Sequence, residues 1–264
     1  MSLFKKTIAS FGVGSAKVNT KVTNDVVKQG ENLYGTVIIL GGDTDQSIES
    51  IKLQLMTLYG HERSDRLTRA EVHTHRVNEP FTIKQGEKKE IPFSFEIPLD
   101  TPMTMEDPKT RLNVPPVWIE TGLEIKKAFD PRDKDHISVR PTDSYQNIID
   151  SIKMLGFRFR QMENEKTPRA IASRLPYVQQ FEFVPTIGKY ARKLEELEVY
   201  IVPGEKETKL YFEVDKYTGE PSGSIFDKLN LNEYRGMITL NNETIIKDID
   251  YVCDQIEEIV DSVV

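Results

Sequence analysis

The chain has 264 residues, with 35 Lys and Arg against 42 Asp and Glu, for a formal net charge of −7. That length accommodates about two domains with buried cores, and the acidic balance argues against a protein that coats nucleic acid through its overall field. No apolar run reaches the roughly 18 residues of a membrane span, and the one cysteine, Cys253, excludes an intrachain disulfide and points to a reducing, cytoplasmic compartment.

At the N-terminus Lys5 and Lys6 precede a short apolar stretch that Thr7, Ser10, Gly12 and Gly14 interrupt. It lacks the cleavage site of a signal peptide. Beyond it, most of the chain alternates apolar and polar residues, the mark of strands with one buried face. Leu33, Val37 and Ile39 make one such face, and Ile51, Leu53 and Leu55 a second. Lys89 to Pro98 turns Ile91, Phe93, Phe95 and Ile97 inward against Glu90, Ser94 and Glu96. Pro92 has no N–H, so this strand belongs at a sheet edge or carries a bulge. Val117, Ile119, Thr121, Leu123 and Ile125 oppose Trp118, Glu120 and Glu124, and His136 to Val139 makes a short strand.

Between Asp143 and Gly156 the period changes. Ile148, Ile149, Ile152 and Leu155 fall at helical spacing, with Asp143 or Ser144 as N-cap and Gly156 as terminator. Alternation then resumes. Phe181 and Phe183 flank Glu182; Leu197, Val199 and Ile201 alternate with Glu198 and Tyr200; Leu210, Phe212 and Val214 alternate with Lys209 and Glu213. Short strands joined by turns, without helices between them, predict an all-β chain of two sandwiches. The predicted boundaries are an N-terminal sandwich over 1–142, a linker with a short helix over 143–156, and a C-terminal sandwich over 157–242.

The last segment, 243–264, is predicted to be an acidic amphipathic helix capped by Asn241 or Asn242. Ile245, Ile249, Val252, Ile256, Ile259 and Val263 are spaced 4, 3, 4, 3 and 4, a seam that must dock on its own chain or on a partner. A homodimer through this helix is one arrangement the seam allows. The segment carries a net −6, whereas residues 157–193 carry +5. The basic surface there comprises Arg158, Arg160, Arg169, Arg174, Lys189, Arg192 and Lys193. Its natural partners are an acidic protein, an anionic surface or the chain's own tail.

Chemistry-bearing motifs are sparse. His73 and His75 share one strand face, a minimal metal pair, but only His61 or Glu71 stands near enough in sequence to complete it. The carboxylates around Asp43 and Asp130 lack the spacing of a calcium loop. No nucleophile motif is present, so no catalytic residue, metal ligand or cofactor is assigned, and the chain is read as a non-enzyme. The competing reading is a metal-binding protein or hydrolase centred on the His73/His75 strand. A third is a peripheral membrane adaptor using Phe4, Ile8 and Phe11 with Lys5 and Lys6.

Several runs carry a resemblance. They are Met1-Ser2-Leu3-Phe4-Lys5-Lys6, Gly12-Val13-Gly14, the stretch from Lys88 to Pro102, Val117 to Leu123, Val139-Arg140-Pro141, Gly156-Phe157-Arg158, and Arg174 to Phe183. Across most of residues 1–215 the chain resembles the bacterial sporulation-control family, within the wider arrestin-like fold class. The resemblance implies two arrestin-like β-sandwiches and a regulatory or scaffold role in sporulation control, exerted through contacts with regulatory proteins. It also implies interdomain polar contacts, for which Arg140 and Asp143 stand at the right place.

Overall fold

The computed structural model describes residues 14–61, 64–77, 79–126, 131–216 and 233–262. The fold is rich in β-structure, and the chain divides into two units, residues 1–58 with 69–140, and residues 59–68 with 141–264.

In the first unit, β1 (Lys17–Val22), β3 (Asn32–Leu40) and β7 (Lys88–Glu96) form an antiparallel sheet in the order β1-β3-β7. Among the described residues Pro92 therefore sits on an edge strand, where a missing N–H is tolerated. Opposite lies a sheet in which β10 (Val117–Ile125) pairs with β4 (Gln46–His61) on one side and β11 (Arg132–Arg140) on the other. Strand β2 (Val26–Lys28) extends it beside β11, while β5 (Ser64–Arg76) and β6 (Phe81–Ile83) pair with β4. A short ribbon joins β8 (Met105–Glu106) to β9 (Asn113–Val114). The alternating residues meet between the sheets: Leu33, Val37, Ile39, Phe93 and Phe95 from one, Ile51, Leu53, Leu55, Ile119 and Leu123 from the other, all buried. Each such side chain contributes about 1.5–3 kcal/mol by leaving water. The Thr20 and Thr121 hydroxyls, 2.6 Å apart, bind β1 to β10 across this core.

Residues 59–68, expected in the N-terminal domain, group instead with the second unit. The reason is a non-local pairing. Gly60, at the end of β4, lies beside Glu165 of β12 (Phe157–Lys166), and Tyr59 stacks on Tyr177 with ring centroids 6.1 Å apart.

The rest of the second unit is an antiparallel sheet in the order β16 (Glu233–Asn241), β15 (Glu207–Lys216), β14 (Leu194–Pro203), β13 (Tyr177–Pro185) and β12. One face is apolar, with Phe181, Phe183, Leu197, Val199, Leu210, Phe212 and Val214 buried. Helix α1 (Asp143–Met154) packs on it. Tyr145 of α1 sets its ring edge-on to Phe181 and donates its hydroxyl hydrogen bond to Gln179 at 3.1 Å. The residue that caps α1 is Thr142, one position before the expected Asp143 or Ser144. Its hydroxyl accepts from the Tyr145 N–H at 3.2 Å. Gly156 closes the helix with φ +93°.

The C-terminal segment forms two helices where one was expected: α2 (Asn242–Lys247) and α3 (Ile249–Asp261). Asn241 caps the first, accepting from the Glu243 and Thr244 N–H groups. Asp248 breaks the run with an extended φ of −140°, and its carboxylate caps α3 through the Tyr251 N–H at 2.9 Å. A heptad pattern scores an Asp between two apolar turns as just another polar position, whereas its short side chain competes for backbone N–H groups and starts a new helix.

Candidate functional site

The helix break changes which side chains the tail buries. Ile245, Val252, Ile256 and Val260 are 0% exposed. Ile249 and Ile259 are half-buried, and Val263 lies outside the described residues. The buried row of α3 therefore runs 252, 256, 260, an i, i+4 stripe of a straight helix, and includes Val260, which the heptad spacing left out. The face docks on α1 of the same chain. The Asn147 amide donates to the Ile245 carbonyl at 3.0 Å, and the Cys253 thiol lies 3.7 Å from the Ser151 carbonyl.

At its far end α3 meets the basic stretch. Lys189 reaches Glu257 at 2.8 Å and Asp261 at 2.6 Å, successive turns of one helix face. The Tyr190 hydroxyl donates to Asp261 at 2.8 Å. A hydrogen bond from Lys189 first, aided by Tyr190 and against slight desolvation, holds the Asp261 carboxyl below the ordinary carboxylate range. Of these contacts the part-buried one to Tyr190 matters most. Tyr190 is 1% exposed, so Asp261→Ala, which orphans its hydroxyl, should cost about 1–2 kcal/mol of stability. Lys189→Ala, which removes only a solvent-screened pair, should cost less than about 1 kcal/mol. Thermal unfolding of the two variants checks the difference.

Arg160 takes a different partner from the tail. A bulge in β12 between Phe159 and Gln161 lets Arg160 contact Glu182 at 2.5 Å and Glu196 at 3.0 Å on the outer face of the sheet. Arg158, Arg169, Arg174, Arg192 and Lys193 are exposed. Arg140 ends β11 and Asp143 begins α1, both exposed.

His73 and His75 do share a face of β5, but both imidazoles pack on Phe95, at 5.6 and 5.2 Å between centroids. Burial first, then the neighbouring His73, holds the His75 imidazole below its usual value. Glu71 accepts from Gln54 at 2.6 Å, and His61 bonds Thr68 at 2.8 Å in the second unit. Among the described residues no group of three or more His, Cys, Asp or Glu is arranged to hold a metal ion.

Two clusters escaped the reading of the sequence. On the first unit, Glu120 accepts from Arg69 and Arg132, and the Lys134 ammonium lies 3.9 Å from the centroid of Trp118. Burial alone would raise the Glu120 carboxyl; the Arg69 charge and hydrogen bonds from Trp118, Arg69 and Arg132 bring it below its ordinary value. On the second unit, the outer sheet face carries a polar groove of about 620 Å³ lined by Gln180, Glu182, Glu198, Tyr200 and Glu213 with His61 and Arg169. Its signal was present in the sequence: Glu182, Glu198 and Glu213 each occupy the polar position of an alternating strand. Only the register across strands reveals that they stand side by side.

Known proteins place the chain. The model of the family described as SpoOM protein matches residues 4–218. The sporulation-control protein spo0M of Bacillus subtilis (strain 168) is 36% identical over 263 residues, covering 99% of this chain and 98% of that protein. The crystal structure of Spo0M, sporulation control protein, from Bacillus subtilis matches with a TM-score of 0.81 at 33% identity, over 96% of this chain and all of the other. A match of this extent, in sequence and in β-rich architecture alike, shows that the chain belongs to the SpoOM protein family.

Proposed function

We propose that the chain is a non-catalytic regulator in the control of sporulation, acting through contacts with other proteins in the cytoplasm. The observation that carries this reading is the near full-length similarity to a sporulation-control protein. The arrestin-like description of the two units, with Arg140 and Asp143 as polar contacts, belongs to the same proposal. The described residues support a contact surface in physical terms. Strand β16 ends its sheet and pairs only with β15 among them, and its outer edge is the one on which this reading places an incoming strand. Met237 on that strand is 52% exposed. The tail helix, by contrast, spends its apolar face on α1, which favours docking within the chain over a dimer through that face.

A photoreactive residue at Met237, introduced into the full chain in Bacillus subtilis cells entering sporulation, tests the contact. The expected result is a discrete adduct with a second protein, absent when the probe stands at exposed Lys109. Identical products at both positions would overturn the reading of β16 as a contact edge.

A further inference from the structure

The outer face of the C-terminal sheet aligns carboxylates that sheets ordinarily separate. Register places Glu182 directly opposite Glu198, and Glu198 directly opposite Glu213. Two residues along, Glu196 stands opposite Asp215. Opposed side chains on one face have Cβ atoms about 4.5–5.5 Å apart, where like charges destabilise the pairing. Glu182 is 7% exposed, so water screens it little. Arg160 of β12 pairs with Glu182 and Glu196. The other charged or titratable groups around the row include Glu163, Glu165 and Lys166 from β12, His61, Arg169 and Tyr200 in the groove wall, and Glu233 of β16, the register partner of Asp215. Arg235 of β16 is the register partner of Glu213.

We propose that this row is a proton-holding device: with its proton in place it completes the C-terminal sheet, and deprotonation loosens that sheet. Burial first, then Glu213 and Glu196, pushes Glu198 up to about 8, against a hydrogen bond from Gln180. Burial, then Glu182, pushes Glu196 up to about 7 against Arg160. Linkage sets the sign. A carboxyl raised from its ordinary 4.5 binds a proton in the folded chain that the unfolded chain has released. Its contribution is complete below about pH 4.5, declines as pH rises above that value, and is gone once pH has passed about 7 to 8. The same titration turns the groove from weakly charged to anionic, so the face it presents to a partner depends on pH.

Thermal unfolding of the full chain from pH 5.5 to 8.5 tests the proposal, read with carboxyl carbon NMR titration of the unmutated protein. A control is needed because Asp135 in the first unit is also pushed up to about 7, by burial and then by Asp133. The expected result is that Glu198→Gln raises the melting temperature by about 3–6 °C at pH 8.5 and by much less at pH 5.5. Asp135→Asn should leave the Glu198→Gln effect intact. In the unmutated chain the Glu198 carboxyl should titrate near 8. A Glu198 carboxyl titrating below about 5, or a Glu198→Gln variant that tracks the parent at every pH, would overturn it.

Discussion

Ile256→Ala is expected to lower the free energy of unfolding by about 2–4 kcal/mol, whereas Ile246→Ala should change it by less than about 0.5 kcal/mol. The two residues lie in the same acidic tail and carry the same side chain. Ile256 is 0% exposed and faces α1, while Ile246 is 53% exposed on α2. Removing the buried side chain forfeits its transfer free energy and leaves a void between two helices, each held by further contacts and unable to collapse freely. Chemical denaturation with an unchanged slope would locate the effect in the folded state. Equal losses at both positions would mean that the tail docks differently.

Gly156→Ala should cost about 2–4 kcal/mol. Gly156 ends α1 at φ +93°, and a Cβ there would stand 2.6 Å from the Ile187 carbonyl oxygen. That carbonyl cannot swing away easily, because the Gly156 carbonyl accepts the Thr186 N–H at 3.0 Å in the same turn. Backbone strain and a backbone clash therefore add. Gly188, at φ +78° with nothing within 4 Å of its notional Cβ, carries the strain alone. Gly188→Ala should cost about 1–2 kcal/mol, and the gap between the two measures the clash. Gly156 alone sets where the short helix stops and delivers the chain into β12.

Local pattern made much of this visible. The alternation at Leu197, Val199 and Ile201 and the helical spacing at Ile148 and Ile152 reappear as buried faces. So does the charge asymmetry, since Lys189 of the basic stretch grips Glu257 and Asp261 of the acidic tail. What failed were features set by competition or by distance. Asp248 looked like a surface residue within one helix, yet its carboxylate caps a second. Arg160 looked like a partner for the tail, yet a bulge one residue long sends it to Glu182 and Glu196. The end of β4 belongs with β12, more than 100 residues on, through a pairing that no local pattern encodes. The glutamate row is the clearest instance. Each member obeys the period of its own strand, and only the alignment of three strands brings the charges together.

The regulatory reading is tested most directly by spore yield in a Bacillus subtilis strain lacking its own spo0M and supplied with this chain. Return of the yield of heat-resistant spores to the parental level is the predicted result, with Ile256→Ala reducing that return in proportion to the folded protein it leaves. A chain that accumulates folded in those cells and leaves spore yield at the level of the deletion strain would contradict the account.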